Sequence, residues 1–140
     1  MAQVHPYLTF NGNCREAMTF YKECLDAELS MQTIGEAANA NQMPPETHNN
    51  IMHAQLAKNG TILLLGSDMV GPEGIIKGNN FTLFLACNSE DEIHTLFDKL
   101  SAGGNATFPV TVEFWGGMFG TLTDKFGNNW MLSYDKTTQA

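Results

Sequence analysis

The chain has 140 residues, of which 43% are hydrophobic and 16% are charged, a composition typical of a globular protein and not of a disordered one. Lys and Arg number 7 against 15 Asp and Glu, and the formal net charge of −8 argues against nucleic acid or an anionic membrane as a partner. The sequence has no apolar run of the ~20 residues that a transmembrane helix needs and no signal-peptide pattern, so we expect a cytoplasmic protein.

The first half of the sequence predicts a strand, a helix and a second strand. Residues 4–10 alternate as a strand does. Asn13, with Glu16 three residues later, predicts the capped start of a helix. Residues 28–34 predict the second strand, whereas residues 37–50 are polar and lack a period, so we expect a long surface loop there.

Two hairpins of similar sequence lie 67 positions apart. Residues 58–68 and residues 125–135 both consist of Lys-x-Gly, an apolar strand and a closing Asp. The glycine of each turn is able to adopt a positive φ, as hairpin turns often require. Because turn, strand and closing residue share one offset, the chain is predicted to be a duplication.

The second half repeats the order of the first. Residues 69–80 are rich in glycine and predict a linker, and residues 81–87 predict a strand. Ser89 and Glu92 form a Ser-x-x-Glu capping box ahead of a helix, which Gly103 is expected to end. Each half thus predicts the order βαβββ.

From this order we expect one domain, residues 1–140, made of two repeat units at about 1–70 and 78–140. Four short motifs support the same view: Tyr-Leu-Thr-Phe-Asn-Gly-Asn at 7–13, Phe-Tyr at 20–21, Phe-Trp-Gly at 114–116 and Phe-Gly-Thr-Leu-Thr-Asp at 119–124. In these residues the sequence resembles the vicinal oxygen chelate superfamily, which includes glyoxalase I, extradiol dioxygenases and the fosfomycin and bleomycin resistance proteins. The closer resemblance is to its PhnB-like subfamily, often labelled 3-demethylubiquinone 3-methyltransferase-like.

The resemblance implies an α+β fold in which two tandem βαβββ units form a cupped mixed sheet with the helices outside. In members that are metalloenzymes, the metal ligands come from the first strand and the last hairpin strand of each unit. The corresponding positions here are His5, Leu64, Thr82 and Met131. Only His5 suits a hard divalent metal, which needs three or four His or carboxylate donors. We therefore expect no metal and no other cofactor.

Strand alternation divides the side chains between the helix side and the inside of the cup. The residues expected on the helix side are Leu8, Phe10, Leu63, Leu65, Leu83, Leu85, Trp130, Leu132 and Tyr134. The residues expected inside the cup are His5, Tyr7, Thr9, His53, Gln55, Leu64, Thr82, Phe84, Thr121 and Met131. Trp115 and Phe119 flank the glycines before the last hairpin and are expected at the mouth of the cup.

A mostly apolar and aromatic cup with a few polar groups is typical of a small-molecule pocket. We expect a metal-free protein that binds a small aromatic or amphiphilic molecule, and its acidic charge favours a cationic one. The expected ligand-binding residues are Tyr7, Gln55, Leu64, Thr82, Phe84, Trp115, Phe119, Thr121 and Met131. The alternative is a lyase or isomerase of the glyoxalase superfamily in which His5 or His53 acts as general base near neutral pH.

Two further expectations concern partners and thiols. Members of the superfamily usually dimerise, so the resemblance implies a homodimer. Cys14, Cys24 and Cys87 match no metal-binding spacing. Cys14 and Cys24 lie on different faces of one predicted helix and far apart along it, so we expect no disulfide between them.

Overall fold

The computed structural model describes residues 2–135. The chain divides between Lys77 and Gly78 into two compact units. In the described part of the chain, no helix is long and apolar enough to cross a membrane.

The first unit is a four-stranded mixed sheet with one helix. Its elements are strand β1 (Tyr7–Thr9), helix α1 (Cys14–Leu25) and strands β2 (Glu28–Thr33), β3 (Ile51–Lys58) and β4 (Thr61–Ser67). The strand order is β1-β4-β3-β2, with β1 parallel to β4 and the other neighbours antiparallel. Ala17, Met18 and Tyr21 are buried at helical spacing on α1, so one face of the helix packs on the sheet.

The second unit repeats this arrangement. Its elements are strand β5 (Leu83–Cys87), helix α2 (Glu90–Ser101) and strands β6 (Asn105–Val112), β7 (Met118–Thr123) and β8 (Asn129–Tyr134). The strand order is β5-β8-β7-β6, with β5 parallel to β8. The predicted α+β fold of two βαβββ units is therefore confirmed. That the two units make one domain stays a prediction.

The two helices begin in different ways. Ser89 caps α2 as predicted, because its Oγ accepts a hydrogen bond from Glu92 N at 3.0 Å. In the part of the chain that the structure describes, Asn13 makes no side-chain cap hydrogen bond, and the prediction that it caps α1 is wrong. The acceptor comes instead from Asp68 at the end of β4, whose Oδ1 lies 2.9 Å from Gly12 N and 3.0 Å from Cys14 N.

The loop between β2 and β3 is compact. It contains three short 3-10 turns, Ile34–Glu36, Ala40–Gln42 and Pro45–Thr47. The Nε2 atom of His48 lies 3.0 Å from the Ala40 oxygen and 3.2 Å from the Met43 oxygen. Hydrogen bonds from the backbone N and the hydroxyl of Thr33 lower the pKa of the Glu36 carboxyl and hold the first turn.

The two hairpins that the sequence matches differ in their turns. Between β3 and β4 the turn has two residues, Asn59 and Gly60, with φ of 53° and 81°. Between β7 and β8 it is longer, and Asp124 N donates to Asn128 O at 2.8 Å. The shorter turn of the first hairpin is compensated further along β4, where one extra residue, Leu63, forms a bulge.

The bulge reverses the faces predicted for β4. Leu56 pairs with Leu64 although Ala57 pairs with Ile62, so Leu63 is an extra residue. One extra residue moves every later side chain to the opposite face of the strand. Leu64 is consequently buried, and the prediction that it lines the open face is wrong.

Contacts and strand register show which face each residue of β4 takes after the bulge. A Cβ on Gly66 would lie 3.3 Å from Met18 Sδ of α1, so Gly66 and Leu64, two residues earlier, face the helix. Leu65 pairs with Tyr7 and Gln55 and lies on the other side, where the sequence did not predict it.

Candidate functional site

The first sheet has one side that α1 does not cover, which we call the first open face. Alternation and register place the following side chains on it: Tyr7, Thr9, Glu28, Ser30, Gln32, His53, Gln55 and Leu65. Tyr7, His53 and Gln55 were predicted to share a face, and the structure brings them together.

Tyr7 and His53 are in contact on the first open face. Their ring centroids are 6.0 Å apart and the rings are tilted by 39°. Beside His53 is an open depression of about 210 Å³, lined by Ser30, Met31, Gln32 and His53. An aromatic pair next to a mostly apolar depression that also carries Ser30 and Gln32 can hold a small ring and hydrogen-bond its substituents.

Sequence reasoning missed Ser30 and Gln32. Residues 28–34 were identified as a strand, but no face was assigned to them. The signal was present, because polar residues recur at Glu28, Ser30 and Gln32, the period of a half-exposed strand. Pairing of Gln32 with His53 and of Ser30 with Gln55 brings these side chains to the candidate site.

His5 lies outside this group. The predicted strand started at residue 4, whereas β1 starts at Tyr7. Alternation therefore does not determine where His5 points. Its Nε2 atom lies 3.1 Å from Oε1 of Gln3.

The second sheet also has an uncovered side, the second open face. A Cβ on Gly120 would contact Phe97 of α2, so Gly120 faces the helix and its neighbours in β7 face away. The second open face carries Phe84, Phe108, Phe119, Thr121 and Met131. Phe108, which the sequence did not single out, has its ring centroid 5.8 Å from that of Phe119.

The two remaining predicted residues of this unit are not strand residues. Thr82 is exposed and precedes β5. Trp115 lies in the turn between β6 and β7, where Glu113 N donates to Gly117 O at 2.8 Å. A side chain on Gly117 would overlap the Trp115 ring, so the indole lies over this glycine and remains partly exposed.

The metal-binding positions implied by the family do not fit a metal. Leu64, Thr82 and Met131 offer a hydrocarbon, a hydroxyl and a thioether, which are poor ligands for a hard divalent ion. Among residues 2–135, no group of three or more His, Cys, Asp and Glu side chains could hold a metal ion. Within residues 2–135, these positions therefore do not supply the donor set that the family resemblance implies.

Two of the three thiols, Cys14 and Cys87, are unsuited to chemistry near neutral pH. Burial raises the pKa of Cys14 to about 12, and the charge of Asp68 adds to this effect. Burial likewise raises the pKa of Cys87 to about 12, with a smaller contribution from Glu92. Because the thiolate is the reactive form, neither residue is a candidate nucleophile.

Comparison with known proteins identifies the family. The model of the Glyoxalase/Bleomycin resistance protein/Dioxygenase superfamily matches residues 3–132. Protein YjdN of Escherichia coli (strain K12) is 33% identical over 142 residues, with 94% of both chains covered. Protein PA1353 from Pseudomonas aeruginosa is 34% identical, and its crystal structure matches with a TM-score of 0.82 over 96% of this chain and 98% of that one. The PhnB protein from Bacillus cereus is 26% identical, with a TM-score of 0.77 over 96% and 100% of the two chains. The chain therefore belongs to the glyoxalase/bleomycin resistance/dioxygenase superfamily and to its PhnB-like subfamily.

Proposed function

We propose that this protein binds a small aromatic or amphiphilic molecule on an open sheet face, without a metal or another cofactor. The observation that carries the proposal is the Tyr7–His53 contact beside the depression on the first open face. Aromatic rings with a few polar groups around a concavity are the usual composition of small-molecule sites.

The second open face supports the same function by its own chemistry. Phe84 and Phe108 are exposed large apolar side chains, and Phe119 and Met131 lie on the same side of the sheet. Exposed aromatic groups on a sheet are costly in water unless something covers them. We propose Phe84, Phe119, Thr121 and Met131 as contacts for an aromatic group there, with Trp115 and Thr82 near its ends.

Replacing Tyr7 with Ala tests the proposal. A ligand is first found by thermal-shift screening of a library of metabolites and antibiotics. Tyr7→Ala is then expected to weaken its binding by about 1–3 kcal/mol, the scale for losing an aromatic contact and a hydrogen bond. Isothermal titration calorimetry measures this change.

Phe10→Ala is the matched control for stability. Tyr7 is 48% exposed and Phe10 is 5% exposed. Phe10→Ala is therefore expected to cost about 3–5 kcal/mol of unfolding free energy in urea, and Tyr7→Ala much less. Equal losses would mean that Tyr7 is a core residue, and they would contradict the proposal.

No specific observation favours the lyase or isomerase alternative. The described contact of the His53 ring is with Tyr7, and that of the His5 ring is with Gln3. A general base usually has a group that orients it. If the protein converts a bound compound to product and His53→Ala abolishes that conversion, the protein is an enzyme and the binding proposal is wrong.

We also propose that the protein is a homodimer. Large apolar side chains of the second unit are exposed, among them Phe114 at 99%, and β2 and β6 lie at the edges of their sheets, where each pairs with a strand on one side. Both features are typical of surfaces that a further chain covers. Light scattering is expected to give twice the chain mass of 15.4 kDa.

A variant locates the dimer contact. Phe114→Ser is expected to shift the protein toward the monomer, whereas Ile76→Ser, at another exposed apolar position, is expected to leave the mass unchanged. A single 15.4 kDa species at all concentrations would exclude the dimer.

A cytoplasmic location is proposed as well, since three buried cysteines are typical of a reducing compartment.

A further inference from the structure

Besides the His53 imidazole, the polar side chains that line the depression on the first open face are an amide and a hydroxyl. Gln32 and Ser30 line the depression, and Gln55 pairs with Ser30. An amide offers both an acceptor and donors, and a hydroxyl offers both as well. Such groups match ligand substituents that also donate and accept, namely hydroxyls and carboxamides.

Two positively charged side chains in or near the first sheet bind backbone oxygens away from the depression. Lys58 is the only Lys or Arg in β1 to β4, and its Nζ atom donates to the Leu25 oxygen at the end of α1, 2.9 Å away. Arg15 is on α1 and donates to the Asn49 oxygen. The charged strand residue that shares the open face is Glu28, which pairs with Ala57 at the far end of β2.

In the strands that the structure describes, no Lys or Arg therefore serves this depression, and an anionic ligand gains no such cation for the hydration that it loses. Removing water from a carboxylate or phosphate that gains no cationic partner is unfavourable. The negative charge of Glu28 on the same face adds repulsion. The electrostatics of this face thus select against anions.

The size of the depression limits the ligand further. Its volume is about 210 Å³, below the ~300–1,000 Å³ of pockets that hold drug-sized molecules. A single ring fits this scale. The Tyr7 and His53 rings, 6.0 Å apart, supply the apolar surface against which such a ring can pack.

We propose that the first open face selects a non-anionic single ring that carries hydroxyl or carboxamide groups. The ring packs against His53 and the neighbouring Tyr7, and its substituents hydrogen-bond with Ser30, Gln32 and Gln55. This inference rests on the proposed function and adds the ligand class to it. A hydroxylated ring and an amide-bearing ring share this chemistry, and the experiment distinguishes them.

The test is a titration followed by the backbone amide signals of the protein in NMR spectra. Two matched pairs serve as probes at pH 8: glucose with glucuronate, and nicotinamide with nicotinate. In each pair the second molecule carries a carboxylate where the first has a neutral group. At least one neutral member is expected to bind, with signals of β2 and β3 shifting, and to bind at least about tenfold more tightly than its acid.

Three variants test the residues. Gln32→Leu is expected to weaken the binding of the neutral probe by about tenfold or more. Gln42→Leu removes the same side chain from an exposed 3-10 turn outside the open face and is expected to change nothing. Gln32→Lys introduces the missing cation and is expected to reverse the preference toward the acid of the pair.

The outcomes separate this inference from the proposed function. Equal or tighter binding of the acids by the unchanged protein overturns the ligand class, as does an unchanged affinity in Gln32→Leu. If a library compound loses affinity in Tyr7→Ala but not in Gln32→Leu, the proposed function stands and the ligand class fails. If neither the probes nor the library bind, both fail.

Discussion

Asp68→Ala is expected to lower the free energy of unfolding by about 3–5 kcal/mol, because three backbone N–H groups lose their acceptor. Asp68 is only 8% exposed. Its Oδ1 accepts from Gly12 N at 2.9 Å and Cys14 N at 3.0 Å, and its Oδ2 accepts from Ile51 N at 2.8 Å. Urea denaturation followed by circular dichroism measures the loss.

The effect is large because one carboxylate joins three segments of the first unit. Cys14 is the first residue of α1, Gly12 lies two residues before it, and Ile51 begins β3. Asp68 itself follows the last residue of β4. Buried donors that water cannot reach each cost about 1–3 kcal/mol when they lose their partner, and Ile51 and Cys14 are fully buried.

Two variants make the interpretation specific. Asp68→Asn keeps the shape and one acceptor oxygen, so its loss is expected to be roughly half that of Asp68→Ala. Asp98→Asn, on the exposed side of α2, is expected to stay within about 0.5 kcal/mol of the unchanged protein. A loss below about 1 kcal/mol for Asp68→Ala would show that the three donors find other partners.

Asp68 also shows where comparison of the two halves of the sequence is insufficient. The common offset of 67 positions paired Asp68 with Asp135, and it supported the correct prediction of two βαβββ units. It suggested nothing about capping, because the acceptor for α1 comes from a residue 54 positions away from Cys14. Local sequence therefore indicated Asn13, the nearest residue of the right type.

The faces of the strands were predictable where the pairing was regular. Phe84, Thr121 and Met131 lie together on the second open face because β7 and β8 pair without a bulge. Leu64 was misplaced because the short turn of the first hairpin is compensated by a bulge at Leu63. A bulge depends on both strands at once, so alternation within one strand cannot reveal it.

The candidate site was predictable to the same extent. Tyr7, His53 and Gln55 were expected on one side of the sheet, and register places them there. The depression depends on β2, an edge strand whose contribution follows from its pairing with β3. The sequence shows the polar period of Ser30 and Gln32 but not which strand lies beside them.

The second unit has its own buried acceptor, Asp124, which lies at the opposite end of its hairpin from the closing residue. Its Oδ1 accepts from Phe126 N at 2.8 Å and Asn128 N at 3.0 Å, and its Oδ2 accepts from Trp130 Nε1 at 2.9 Å. The carboxylate thus holds the turn and orients the indole. Trp130 in turn pairs with Leu83 and Leu122 on the helix side of the sheet.

Trp130→Ala is expected to cost about 3–5 kcal/mol of unfolding free energy, because it removes a large buried ring and leaves one oxygen of Asp124 without the indole N–H. Trp130→Phe retains most of the ring and is expected to cost about 1–2 kcal/mol, the scale of the lost hydrogen bond. The chain has two tryptophans, and the other one is the matched control. Trp130 is 3% exposed and Trp115 is 42% exposed.

Trp115→Ala is accordingly expected to cost less than about 1.5 kcal/mol. The comparison is made by urea denaturation, with hydrogen exchange of the two units recorded in parallel. If residues 1–140 form one cooperative domain, Trp130→Ala speeds exchange in both units by the same factor, since both open together. If the units unfold separately, exchange accelerates after Gly78 and stays unchanged before Lys77. Equal losses for Trp115→Ala and Trp130→Ala would contradict the assignment of Trp130 to the core and of Trp115 to the surface.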